Sequence, residues 1–204
     1  MLMLDLSDIS ADPARQENIA RILVAAEKLF RHYGYSKTTV ADIARDLGMS
    51  TANIYRFFAS KGEIHQALCG RMLEQSYLMA LNIRNQPISA SDRLRAYAMG
   101  QYKMTLETML DEQKVHEMVV IAIESAWHVI EKHIVRIQDL VAEIIAEGIA
   151  AGEFVEQDPV IAAKCFASAT VDLCHPQMVA QCLGKTYQAK PEDLIEFAIR
   201  ALKK

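Results

Sequence analysis

An all-helical fold is what this sequence predicts, and three observations predict it. Apolar residues recur at steps of three and four, as in Ile130, Ile134, Ile137, Val141, Ile144 and Gly148, whereas no stretch alternates with the period of two that a half-buried strand needs. Helix starts recur too. Asp12-Pro13 and Asp158-Pro159 place a capping carboxylate before a proline whose missing N–H costs nothing there, and Thr39-x-x-Asp42 and Ser60-x-x-Glu63 are capping boxes. Finally, the chain of 204 residues is 51% hydrophobic and 24% charged, enough for a substantial core. No apolar run reaches the roughly 18 residues of a membrane span.

Residues 1–12 read as a loose arm, with acidic rather than basic flanks and too few apolar residues for a signal peptide. The first helix runs from Pro13 to about Tyr33 on a stripe of Ile19, Ile22, Leu23, Ala26, Leu29 and Phe30, and Gly34 ends it. Thr39 caps a short second helix that buries Ile43, Ala44 and Leu47; Gly48 stops it by turning with positive φ. Ser50 restarts the chain, and the third helix buries Ile54 and Phe58 while leaving Thr51, Asn53, Tyr55 and Arg56 pointing elsewhere. From Ser60 a fourth helix continues to about Ile83, roughly 20 residues or about 30 Å at helical rise. With one end fused to the first three helices, it is a natural lever.

Beyond the break at Asn85-Gln86-Pro87, a helix starting between Ser89 and Asp92 carries Leu94, Tyr97, Gln101, Tyr102, Thr105 and Met109. A shorter helix is expected over about 114–124 and another over about 126–151, stopped by Gly152, with Glu153-Phe154-Val155 as a connector. The helix opened by Asp158-Pro159 must kink or divide at Pro176, and Lys190-Pro191 opens the last one, with Leu194, Ile195, Phe197, Ala198 and Leu202.

The third helix carries the chemistry. A helix offered end-on to the major groove of DNA needs small, hydrogen-bonding side chains in its first turn and donors nearby for phosphates. Thr51, Ala52 and Asn53 meet the first need; Tyr55, Arg56 and Lys61 meet the second. Alone, the pattern fits equally an ordinary helical hairpin with a solvated polar face. Charge distribution favours the former. The net charge is −4, yet residues 13–61 hold eight basic side chains against four acidic ones. The four cysteines, Cys69, Cys165, Cys174 and Cys182, form no CxxC pair and read as reduced thiols of a cytoplasmic protein. His128 and His133, with Glu124 and Glu131 nearby and His175 beside Cys174, are the metal-ligand candidates; a spacing of five does not put the two histidines cleanly on one helix face, and Glu124 with His128, at i and i+4, are too few ligands. A phosphate-binding glycine loop, a GxSxG elbow and a catalytic carboxylate pair are all missing, so catalysis has nothing to rest on.

The run from Ile22 to Leu68 resembles the N-terminal DNA-binding domain of the TetR family of transcriptional regulators. The matching features are Ala25, Ala26, Leu29 and Phe30 of the first helix, Gly34, Thr38-Thr39, Asp42-Ile43-Ala44, Gly48-Met49-Ser50, Ile54 to Phe58, and Ser60-Lys61. The resemblance implies a three-helix helix-turn-helix domain over 13–61 and a helical-bundle domain over 62–204 for ligand binding and dimerisation. It implies no enzyme activity and no cofactor. The implied molecule is a cytoplasmic homodimer paired through its last two helices (158–184 and 190–203), bound to a palindromic double-stranded operator, and acting as a repressor released by a small-molecule effector. Chromosome organisation on the same fold, or a helical enzyme or carrier, are the rival readings.

The DNA contacts expected are Thr38, Thr39, Ser50, Thr51, Ala52, Asn53, Tyr55, Arg56 and Lys61. Ten methionines, six of them at Met72, Met79, Met99, Met104, Met109 and Met118, suit a pocket for a largely apolar effector. Its expected lining is Met72, Met99, Tyr102, Met118, Trp127 and Phe166.

Overall fold

The structure, a computed structural model, describes residues 12–108, 112–186 and 189–203. Of the expected arm only Asp12 falls among them, and Met109 lies outside them. The described residues form ten α-helices and no strand. They divide into two compact units, one ending at Cys69 and one beginning at Gly70.

In the first unit, α1 (Pro13–Tyr33) starts as its sequence demands: the Asp12 carboxylate accepts from the Ala14 amide and Pro13 takes the first helical position. It buries Ile22, Leu23, Ala25, Ala26, Leu29 and Phe30 and stops at Gly34, whose φ of 92° lies outside what other residues readily adopt. α2 (Val40–Asp46) opens on the full reciprocal capping box of Thr39 and Asp42. α3 (Thr51–Tyr55) opens on Ser50, whose hydroxyl accepts from the Asn53 amide.

α4 (Lys61–Arg84) contains the division between the units. The expected boundary at its first residue moves inward because its first two turns are tied to the segment between α1 and α2. The Lys61 ammonium donates to the carbonyls of Tyr35 and Thr38, each at 2.9 Å. His65 packs on the rings of Phe30 and Tyr35, with centroids 6.2 and 5.2 Å away.

The second unit holds α5 (Ala90–Thr108), α6 (Glu112–Ala150), α7 (Pro159–Ala169), α8 (Val171–Cys174), α9 (Pro176–Cys182) and α10 (Pro191–Arg200). α6 packs on α5, α7 and α9, while α10 lies on α5 and α7. Their core includes Leu94, Ile144, Ile145, Ala163, Phe166, Ile195 and Ile199.

The two helices expected over 114–124 and 126–151 follow one another directly within α6 and are separated by a kink at Ala126, where φ of −132° and ψ of 20° leave the helical region. The packing seam of this helix is buried at Ile137, Val141 and Ile144, but Ile134 is exposed, so the stripe reaches the core only in its C-terminal half. Gly148 is required there. A Cβ on it would lie 2.4 Å from the Phe154 ring and 2.8 Å from Ala90 Cβ. Glu153, expected to be mere connector, instead caps α5: its carboxylate accepts from the amides of Ala90 and Ser91, each at 2.9 Å. Pro176 divides the following helix as expected, and a second break at Thr170 precedes it. There the hydroxyl turns back to donate to the Phe166 carbonyl at 2.9 Å.

Candidate DNA-recognition site

The turn between α2 and α3 rests on Gly48, whose φ is +65°; nothing lies within 4 Å of where its Cβ would be, so backbone conformation and not space requires glycine. The Met49 amide then donates to the Ala44 carbonyl at 2.9 Å and closes the turn. α3 is only five residues long and has no stability of its own. Ile54, fully buried, and Phe58, 8% exposed, hold it to the unit. That anchoring faces Ala52, Tyr55 and Arg56 outward, with Thr51 and Asn53 half-buried at their side. Tyr55 is 51% exposed.

Around this face several expected contacts serve the fold. Thr38, expected to meet a phosphate, is buried at 1% exposure, and its hydroxyl donates to the Gly34 carbonyl at 2.8 Å; it holds the loop after α1 and is not presented to a duplex. Lys61 likewise turns its ammonium inward, onto two carbonyls and over the Tyr35 ring at 4.1 Å, because the loop before α2 presents those carbonyls to the start of α4. Thr39 and Ser50 are exposed, but both hydroxyls cap: Thr39 accepts from the Asp42 amide at 3.2 Å while donating to the Asp42 carboxylate at 2.6 Å, and Ser50 accepts from the Asn53 amide at 3.1 Å. Hydrogen bonds from the Thr39 hydroxyl and amide hold the Asp42 carboxyl below the usual carboxylate range, with the Arg45 guanidinium adding to the effect. Elsewhere in this unit, Lys37 is exposed, Arg45 extends from α2 with its side chain 77% exposed and pairs with Asp42 at 2.9 Å, and Arg15, half-buried, stacks its guanidinium over Phe57, 5.3 Å from the ring centroid. Arg45 and Arg15 were not among the expected contacts, although their charge was the signal that could have named them.

Two family models match the sequence: one for "Bacterial regulatory proteins, tetR family" over residues 22–68, and one for "Tetracyclin repressor-like, C-terminal domain" over residues 90–195, more than half of the chain. The chain belongs to the TetR family. It is therefore a DNA-binding transcriptional regulator and not an enzyme. Among TetR-family relatives, the regulator TtgR of Pseudomonas putida is 42% identical over 59 residues, which span 29% of this chain and 28% of TtgR. HbdR of Aromatoleum sp. (strain CIB) is 43% identical over 49 residues, 24% of this chain and 21% of HbdR. A TetR/AcrR-family regulator from Thermobifida fusca superposes with a TM-score of 0.70 at 21% identity, covering 91% of this chain and 96% of that one. The fatty acid degradation regulator FadR of Bacillus halodurans gives 0.63 at 17% identity, covering 95% and 96%.

In the second unit of this TetR-family regulator, the residues expected to line an effector site differ in burial. Met99 and Tyr102 pack half-buried against the core cluster, and Phe166 is part of that core at 3% exposure. Met72 on α4 and Met118 on α6 are half-buried. Trp127 is 50% exposed just past the bend of α6, so its indole does not line the interior of the subunit. Among the described residues no helix is long and apolar enough to cross a membrane.

Proposed function

We propose that this TetR-family regulator is a cytoplasmic homodimeric repressor that binds a palindromic operator and is released by a small-molecule effector held in its second unit. The observation that carries the reading is the exposure of apolar side chains on the C-terminal helices. Val160 and Ile161 of α7, Val171 of α8, Leu183 after α9 and Phe197 of α10 are 41–65% exposed. Apolar side chains grouped on consecutive helices call for a partner, and a two-fold copy is the partner that a half-site reader needs. In the DNA-bound dimer, Ala52, Tyr55 and Arg56 of each α3 meet the groove and its phosphates, with Thr51 and Asn53 at base edges and Lys37, Arg45 and Arg15 on the flanking backbone.

The test is a gel shift on the DNA flanking the protein's own coding region, run beside sedimentation of wild type and Phe197→Asp. Retardation by the wild-type dimer, and monomeric Phe197→Asp that no longer shifts the fragment, are the expected results. A monomeric wild type that shifts the fragment with equal affinity would overturn the dimer. Repeating the shift with cell extract tests release; binding to many unrelated fragments, indifferent to extract, would instead identify a chromosome-organising protein.

A further inference from the structure

A seam of polar groups runs through the apolar interior of the second unit. On α5, Tyr97, Gln101 and Thr105 stand one turn apart on one face, and each is less than a tenth exposed. The Gln101 amide nitrogen donates to the hydroxyl of Ser76 on α4, itself 7% exposed, at 2.7 Å. The same hydroxyl lies 3.5 Å from Nε2 of His133 on α6. One turn further along α5, the Thr105 hydroxyl donates to the carbonyl of Cys174, the residue before His175. Nδ1 of His133 and Nδ1 of His175 are both buried without a hydrogen-bond partner.

Such groups are costly in a core unless their bonds are met. Ser76 and Gln101 meet theirs largely in each other, the Ser76 hydroxyl donating back to Gln101 Oε1 at 3.0 Å, whereas the network ends at His133 on a ring nitrogen that can still donate or accept. We propose that Ser76, Gln101 and His133 form the recognition group of the effector site, and that the site takes an uncharged small molecule with an apolar body and a hydroxyl group. The proposal rests on the reading above that the second unit binds an effector.

Three observations select that chemistry. The neighbours of the cluster along the same helices, Tyr77 and Met79 on α4 and Met99 and Tyr102 on α5, are apolar or aromatic and pack on the core, which suits an apolar body. The nearest cation along the same helices is already matched: Arg136, one turn after His133, closes on Glu74 at 2.7 Å. A carboxylate or phosphate entering beside His133 would be desolvated with the Arg136 guanidinium already committed to Glu74. A hydroxyl, in contrast, both donates and accepts, so it meets His133 Nδ1 in either tautomer of the ring. Burial, helped by Arg136 and opposed by Glu74, also lowers the His133 pKa, so the imidazole is the neutral partner that an uncharged ligand requires.

Calorimetry on the full-length protein tests this with two probes sharing one apolar body, 4-propylphenol and 4-propylbenzoate. The phenol binds, and the benzoate binds at least about tenfold more weakly. His133→Phe and Gln101→Leu each lower phenol affinity about tenfold or more while keeping the wild-type far-ultraviolet circular dichroism. Ser76→Ala, the smallest change, does the same if either larger substitution fails to fold. Failure of the phenol to bind, equal binding of the benzoate, or wild-type affinity in the folded variants overturns the assignment. Operator release by the phenol is scored separately. Variant-sensitive binding without release upholds the site and refutes its link to repression, whereas release that persists in all three variants refutes the site.

Discussion

Acidification should loosen the DNA-binding unit through one residue, His65. This imidazole is fully buried on α4 against the rings of Phe30 and Tyr35, and its Nδ1 lies 3.8 Å from Cys69 Sγ, a weak partner. Burial pushes its pKa down from 6.5 to about 4. Because the folded pKa is the lower one, the unfolded chain takes up a proton first as pH falls. Stability from this group is therefore complete above about pH 6.5 and is lost progressively down to about pH 4. At about 1.36 kcal/mol per unit the full loss is about 3 kcal/mol, of which about 2 kcal/mol falls between pH 7 and pH 5. Amide hydrogen exchange of peptides from α1, α2 and α3, corrected for intrinsic exchange rates, reads the opening free energy of this unit directly. Wild type should lose about 2 kcal/mol over that interval, whereas His65→Phe, which keeps a ring in the site, should lose well under half as much. A flat wild-type profile, or an equal slope in His65→Phe, would refute the argument.

Three further outcomes follow from the packing and the caps. Gly148→Ala would gain about 1 kcal/mol of helix propensity but drive a methyl into Phe154, so a net destabilisation of about 2 kcal/mol is expected in urea unfolding, relieved in part by adding Phe154→Leu. Thr39→Val removes the hydroxyl half of the α2 capping box and should cost about 1 kcal/mol in exchange protection of α2. On DNA, Arg56→Ala should weaken binding to all sequences and lower the salt slope by about 1, whereas Lys61→Met should leave two carbonyls short of a donor, reduce stability by about 1–3 kcal/mol, and keep the wild-type salt slope in its folded fraction. Equal salt slopes for wild type and Arg56→Ala, or a reduced slope for Lys61→Met, would reverse those two assignments.

What the amino-acid order determined by itself was everything governed by neighbours within a few residues. Asp12-Pro13, Thr39 with Asp42, Ser50, Ser60 with Glu63, and Asp158-Pro159 set helix starts because a cap satisfies amides two or three residues away, and Gly34, Gly48 and Gly152 mark ends because positive φ is a property of one residue. The outward set on α3 was legible for the same reason, since burying Ile54 and Phe58 leaves Ala52, Tyr55 and Arg56 no other side to occupy. Tertiary structure alone decided which polar groups the fold uses. Thr38 and Lys61 look like phosphate donors until the carbonyls of Gly34, Tyr35 and Thr38 are seen to face them. Trp127 looks like pocket lining until the bend at Ala126 is placed, and Glu153 looks like connector until the start of α5 comes within 2.9 Å of its carboxylate. Ser76, Gln101 and His133 lie 25 and 57 residues apart along the chain and share no local pattern. Periodicity reports the direction of a side chain relative to its own helix, whereas a hydrogen bond between helices depends on how those helices cross, a quantity no single segment contains.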